Sequence, residues 1–271
     1  MKKHLSTIIL VIVFLVGLSV MLYPSISDYW NSMHQSRAIV DYDAVYQSMS
    51  DDDTEAMMED ARQYNEQLRQ VAFPLMNHDQ VPGYEDLLNI GGTGIMGYLD
   101  IEKIGVELPV YHGTSDSVLN VAVGHVEGTS LPTGGPGTHC VFSAHRGLPS
   151  ARLFSDLDKL EPGDLFVITV LGRKMTYVVD QVLIVEPHQV EELYVTEGKD
   201  YCTLVTCTPY GINSHRILVR GVRTENVEGP HETPVPADGY QIRPILVAPV
   251  LALPLLLVLL VVLMVEQRRK K

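Results

Sequence analysis

Two long runs without a charged residue lie at opposite ends of this chain, each with basic residues on its terminal side. Residues 5–23 (LSTIILVIVFLVGLSVMLY) follow Lys2 and Lys3, and residues 245–265 (ILVAPVLALPLLLVLLVVLMV) precede Arg268, Arg269, Lys270 and Lys271. At ~1.5 Å per residue the first run makes a helix of about 28 Å, close to the ~30 Å hydrocarbon core of a bilayer. It is longer than a usual signal-peptide apolar region, and VMLYPSISDYW beyond it has no A-x-A-like cleavage site. It is therefore read as an uncleaved anchor. In the second run Pro249 and Pro254 can kink the helix, which membranes tolerate when neighbours satisfy the freed carbonyls. Its length and RRKK stop argue against a buried core helix. The positive-inside rule then places both termini (1–4 and 266–271) in the cytoplasm. Residues 24–244 must fold outside a cell membrane that the chain crosses twice.

The charge of that middle excludes one class of partner. The chain carries 20 Lys+Arg against 33 Asp+Glu, a formal net charge of −13. The ends are basic, so the middle is more acidic than the total, and nucleic-acid binding is excluded. The 3 cysteines are too few for a disulfide scaffold. In an oxidising compartment at least one of them lacks a partner within the monomer.

Residues 28–70 lack Gly and Pro and read as two helices with a break near Ser48–Asp52. Asp51, Asp52 and Asp53 sit where acids suit a helix N-terminus. Residues 24–70 thus form a helical, membrane-proximal segment. Residues 71–94 form a connector rich in Gly and Pro, long enough to suggest a function or a linker. From residue 95 the texture becomes β. IMGYLDI, VELPVY, THCVFSAH, DLFVITVL, MTYVVDQVLIV, YCTLVTC and RILVRGVRT are short runs rich in Val, Ile, Thr and Tyr. Turn signals at Lys103–Gly105, Glu161–Asp164, Gly172–Arg173 and Tyr210–Asn213 separate them. Seven or eight strands over 95–225, with short helical patches at 115–121 and 151–160, predict a mainly β barrel or sandwich. Residues 226–244 are Pro-rich and read as a tether to the second span.

Cys207 ends the run YCTLVTC, and Pro209 marks the strand's exit. This puts the thiol at a barrel rim. Cys202 lies an odd number of positions earlier, so it faces the other way. Cys140 and Cys202 read as inert buried residues. His145 sits in FSAHRGL; on pattern alone a lone His is more often structural than catalytic. Arg216 lies beyond the turn-like TPYGIN, and a hairpin of that size brings it opposite Cys207. A fixed cation there would favour thiolate or steady an oxyanion, although a surface arginine fits the same spacing. No C-x-x-C or H-x-x-x-H spacing is present, so no metal site is expected.

Four stretches together resemble the sortases: LPVYHGTS (108–115), GHVEGTSLPTGG (124–135), FSAHRGLPSARLFSDLDKLEPGD (142–164) and TLVTCTPYGINSHRILVRG (203–221). More narrowly they are similar to class C, the pilus-assembling sortases of Gram-positive bacteria. The likeness spans about residues 95–223, and the helical lead-in and C-terminal span fit that class. It implies an eight-stranded sortase β-barrel and a site of Cys207 (nucleophile), His145 (general acid/base) and Arg216 (substrate or oxyanion stabilisation). It implies cleavage of an LPXTG-type sorting signal between Thr and Gly, then transfer to a pilin lysine, without a cofactor. The implied partners are LPXTG-bearing pilins or surface proteins, with a pilin lysine or a cell-wall precursor amine as acceptor.

Class C members commonly carry a lid with an Asp-Pro-aromatic motif over the site. The connector here, PLMNHDQVPGYEDLLN, has Asp79 without a following Pro, and its nearest aromatic is Tyr84. Residues 72–92 are expected to cover Cys207, with Asp79 and Tyr84 as the candidate lid residues. Leu131-Pro132-Thr133-Gly134-Gly135 looks like a sorting signal but lacks a residue between Pro and Thr, and it lies inside the domain. The chain therefore reads as the enzyme and not as its own substrate. Three alternatives stand beside pilus assembly: anchoring proteins to peptidoglycan, plain cysteine endopeptidase activity, and a non-enzymatic pilus or adhesion scaffold.

Overall fold

Ser50 caps α2 (Asp51–Leu68): its hydroxyl accepts the Asp53 N–H at 3.1 Å, and the three aspartates fill the first turn. This is the break expected near Ser48–Asp52. Upstream, α1 (Lys2–Gln47) is a single helix that continues through Pro24. The apolar run and the membrane-proximal segment therefore share one axis instead of forming separate helices. An apolar 18-residue window of α1 is long enough to cross a membrane and has none of its residues buried against the protein. The computed structural model describes residues 2–226; the tether from 227, the 245–265 run and the basic tail lie outside the described residues.

Eight strands close into a barrel. They are β1 (Ile95–Ile101), β2 (Val106–Tyr111), β3 (Val123–His125), β4 (Thr138–Ser143), β5 (Leu165–Val170), β6 (Arg173–Val185), β7 (Asp200–Thr208) and β8 (His215–Arg223). Their order around the barrel is β1-β2-β3-β4-β7-β8-β6-β5. The β2–β3 and β4–β7 pairs are parallel and the other pairs antiparallel. The eight-stranded, mainly β expectation holds.

Alternation along the strands divides the barrel interior from an outer face that is itself partly covered, with Val141 and Thr203 buried there. Cys140 and Phe142 of β4, with Cys202 and Leu204 of β7, point into a core shared with Phe154, Phe166 and Tyr177. Burying each such large side chain contributes roughly 1.5–3 kcal/mol. Val141, Thr203 and Val205 take the opposite face of the same strands. Phe166 of β5 and Tyr177 of β6 lie opposite each other in register and stack with centroids 5.5 Å apart. A Cβ at Gly221 would meet Phe166 at 2.6 Å, so only glycine fits beneath this pair.

The short helix α3 (Pro74–Asn77) begins the connector, and α4 (Asp116–Leu119) supplies the helical patch expected near 115–121. The patch expected at 151–160 is not a helix. It is a series of turns containing a 3₁₀ turn at Leu157–Lys159. Its apolar residues Ala151, Leu153, Phe154, Leu157 and Leu160 are all buried, so their spacing imitates a helical stripe. The Phe154 N–H donates to the His145 carbonyl at 3.1 Å, which ties the segment to the barrel rim.

Candidate active site

The register of β7 against β8 places Cys207 directly opposite Arg216. Residues opposite each other in an antiparallel pair project to the same face. Cys207 therefore shares the outer face with Arg216, while Cys202 points into the barrel and pairs in register with Cys140 on β4. Cys207 is a half-buried free thiol; Cys140 and Cys202 are free and buried. Burial beside Cys202 pushes the Cys140 thiol well above its ordinary pKa, so it stays protonated. The outer thiol is thus the one placed to meet a substrate.

Two contacts bring His145 beside Cys207. β4 runs parallel to β7, with Ser143 level with Val205. Past the end of β4, the Ala144 N–H donates to the Val205 carbonyl at 3.2 Å, and the Thr206 hydroxyl donates to the Ala144 carbonyl at 2.7 Å. One residue before His145 is therefore clamped to one residue before Cys207. On the far side Gly147 packs under Tyr210: a Cβ there would lie 2.9 Å from the ring, and the residue has φ +77°. Only glycine satisfies both demands. The Arg146 guanidinium stands over the Tyr210 ring at 5.9 Å and pairs with Asp158 at 2.5 Å. His145 and Cys207 are held between these two ties, and both are half-buried.

Arg216 is also half-buried, and its guanidinium donates to the carbonyls of Asn213 (3.1 Å) and His215 (3.0 Å). These bonds fold the cation back over the β7–β8 turn, at the rim where Cys207 lies one residue before the end of β7. A thiol, an imidazole and a fixed cation thus converge on one open edge. Such a set can make a thioacyl bond, shuttle a proton and steady an oxyanion. Among the described residues no cluster of three or more His, Cys, Asp or Glu is gathered to hold a metal ion.

Tyr84 is placed elsewhere, which corrects its reading as a lid residue. It is buried, and its hydroxyl accepts the Gly113 N–H at 2.9 Å and donates to His125 Nδ1 at 2.9 Å. His125 Nε2–H in turn donates to the Ser130 carbonyl at 2.9 Å. The ring of Tyr84 packs edge-on to His112 at 5.1 Å. Asp79 is exposed in the 3₁₀ turn His78–Gln80, where neighbouring His78 pairs with Glu127 at 3.2 Å. The connector also lies so close to Gly128 that a Cβ there would meet the Pro74 carbonyl oxygen at 2.5 Å. These contacts run to β3 and the segments flanking it, and none of them reaches Cys207, His145 or Arg216. A cavity of about 470 Å³ lies between α2, the connector and the β6–β7 loop, lined by Leu68, Pro74, Ser130 and Tyr194 among others. None of the three rim residues lines it.

The sorting-signal look-alike is locked into the fold. Leu131 is fully buried; its N–H donates to Asn65 Oδ1 at 2.7 Å, and the Gly135 N–H donates to Asp200 at 2.7 Å. Sequence reasoning passed over Thr206, Tyr210 and Arg146, whose part lies in long-range contacts. Their one sequence signal was membership of the motifs around His145 and Cys207.

Comparison with known proteins agrees with this geometry. The sortase domain model matches residues 99–224. Sortase C1 of Streptococcus agalactiae is 46% identical, with a TM-score of 0.64 over 70% of this chain and 99% of that one. Sortase C of Streptococcus pneumoniae is 41% identical, with a TM-score of 0.64 over 70% and 97% of the two chains. Among curated proteins, Sortase A of Streptococcus agalactiae is 30% identical over 42% of this chain; the match spans 47% of that relative's length. The chain belongs to the sortase family, whose members are cysteine transpeptidases, and class C sortases are among its close structural neighbours.

Proposed function

We propose that this chain is a membrane-anchored transpeptidase that cleaves an LPXTG-type sorting signal between Thr and Gly and joins pilin subunits through a lysine isopeptide bond. The register that sets Cys207 opposite Arg216, with His145 clamped alongside, carries the reading. A structural neighbour, sortase C of Streptococcus pneumoniae, is described in terms of pilin substrate specificity, which supports a pilin substrate here. Residues 95–225 serve as the catalytic domain. Residues 5–23 and 245–265 serve as the two anchors, with both termini cytoplasmic.

The Cys207 thiolate attacks the Thr carbonyl carbon, and Arg216 steadies the oxyanion that forms. His145 protonates the departing glycine amine, leaving a thioester on Cys207. An incoming lysine amine attacks that thioester and gives its proton to His145. The thiolate leaves, and an isopeptide bond replaces the original amide. The thioester carries the energy of the first amide to the second, so no nucleotide is consumed.

The test incubates the full chain with an LPXTG-bearing peptide, with and without a lysine-bearing pilin. Mass spectrometry should find a thioacyl adduct on the wild type and none on Cys207→Ala. The pilin should convert the adduct into an isopeptide-linked product. A product that forms only with water, at a rate unmoved by the pilin, makes the chain an endopeptidase. Transfer to a cell-wall precursor amine in preference to the pilin lysine makes it a wall-anchoring enzyme. A folded Cys207→Ala variant that still builds polymer overturns the catalytic reading.

A further inference from the structure

We propose that the catalytic rim of the barrel rests on the membrane surface, with the β7–β8 loop seated among the lipid headgroups. The inference rests on reading α1 as a membrane anchor and goes beyond it by fixing which end of the barrel meets the bilayer.

The continuity of α1 supplies the geometry. The apolar run ends at Tyr23, and α1 continues without a break to Gln47. Asp28 Oδ1 accepts the Arg152 N–H at 2.9 Å, and Asn31 Nδ2 donates to the Ser150 carbonyl at 2.9 Å. One turn later Gln35 Nε2 donates to the Val121 carbonyl at 2.6 Å. At ~1.5 Å per residue, Asp28 stands about 8 Å and Asn31 about 12 Å along the axis from the end of the apolar run. The headgroup layer adds about 5–8 Å to each side of the hydrocarbon core. The segment 150–152 is therefore held at or just above headgroup depth.

That segment belongs to the catalytic rim. It follows His145, Arg146 and Gly147, and the last two carry the ring of Tyr210. Anchoring 150–152 beside the bilayer brings the β7–β8 turn there too.

The exposed side chains at this level suit such a surface. Ile26, Tyr29 and Trp30 on α1 are 58%, 49% and 62% exposed, and Trp30 is the chain's single tryptophan. On the loop, Tyr210 and Ile212 are 63% and 72% exposed. Tyr and Trp favour the membrane interface, where the ring meets lipid and the polar atom meets water. Two elements far apart in sequence thus present apolar and aromatic groups to the same level. Cys207 then opens along the plane of the bilayer, and a peptide must enter between the rim and the headgroups.

The test uses the full chain in phosphatidylglycerol–phosphatidylcholine vesicles whose acyl chains carry bromine, a quencher of indole emission. In a Trp30→Phe background, Ile212→Trp reports on the rim and Phe73→Trp, 67% exposed on the connector, reports away from it. Both positions are well exposed, so neither substitution disturbs the core. The Ile212→Trp emission should be blue-shifted and quenched severalfold more than that of Phe73→Trp. Quenching no stronger than that of Phe73→Trp overturns the orientation. Cleavage of a soluble sorting-signal peptide by the unmodified chain in the same vesicles tests the catalytic reading separately: cleavage with an unquenched rim sinks the orientation alone. A chain that does not float with the vesicles overturns the anchor reading and the orientation with it.

Discussion

Two polar clusters on this barrel use similar residues to opposite ends. At the rim stand His145, Tyr210 and Cys207. Where the connector packs against β3 stand His125, Tyr84 and Ser130. Each nitrogen of the His125 ring has a fixed partner, Tyr84 on one side and the Ser130 carbonyl on the other. The ring is fully buried, and burial holds its pKa down to about 4. Such an imidazole is a neutral structural strut at ordinary pH and has no proton to trade. His145 is tied through its backbone carbonyl, and its side chain stays half-buried at an open edge beside a thiol. What separates the strut from the proposed acid–base group is the commitment of the side chain, since residue type is shared.

The largest expected contrast comes from Arg216. Arg216→Ala should lower kcat/KM for thioacylation by about 10²–10³-fold, the usual loss on removing one oxyanion partner. Its recorded bonds go to turn carbonyls at a half-buried position, so the melting temperature should hardly move. A variant that melts early yet reacts normally would assign Arg216 to the turn instead.

The strut makes the next prediction. Between pH 6.5 and about 4 the unfolded chain protonates His125 and the folded chain does not. Folded stability is therefore whole above about pH 6.5 and declines as the pH falls towards 4, by about 3 kcal/mol in total. His139 is also lowered by burial and acts in the same direction. Asp43 and Glu107 are raised by burial and oppose it. The comparison that isolates His125 is with His125→Asn, whose denaturant midpoint should depend less steeply on pH across this window. Equal slopes would mean that His125 titrates normally.

The sequence made one of these two regions easier to read than the other. Cys207 and Arg216 were placed together by strand parity and hairpin length, both local and periodic. The seven longer strands were visible for the same reason. β3 has only three residues, too few to show a period, and its pairing with β2 and β4 is long-range. Tyr84 was misread because its partners Gly113 and His125 are distant in sequence, and an aromatic in a long loop looks free to move. The span at 5–23 and the helices of 28–70 were read as separate elements, yet α1 joins them through Pro24. The turns at 151–160 imitated a helix because all their apolar residues face the core.

Tyr84→Phe tests the strut directly. It leaves the Gly113 N–H and His125 Nδ1 without their partner at a buried site, a cost of about 1–3 kcal/mol. Chemical denaturation should show that loss, while kcat/KM on a sorting-signal peptide should match the wild type. A fall in kcat/KM at full stability would restore a role for the connector at the site.

Thr206 offers the smallest effect and the finest discrimination, because it sits in the rim yet makes a structural bond. Its hydroxyl donates to the Ala144 carbonyl at 2.7 Å, and the residues that follow Ala144 and Thr206 in the chain are His145 and Cys207. Thr206→Val keeps the shape and removes the donor, costing about 1 kcal/mol of stability through one unpaired carbonyl. Thr206→Ser keeps the donor. If the bond only supports the fold, as the Tyr84 bonds do, both variants should retain wild-type kcat/KM and differ in melting temperature alone. If it sets the spacing of imidazole and thiol, Val should lower kcat/KM and shift the pH profile of thioacylation, and Ser should recover both. The second outcome is expected: the clamp lies one residue from each reacting group, and small displacements of such groups cost rate out of proportion to stability.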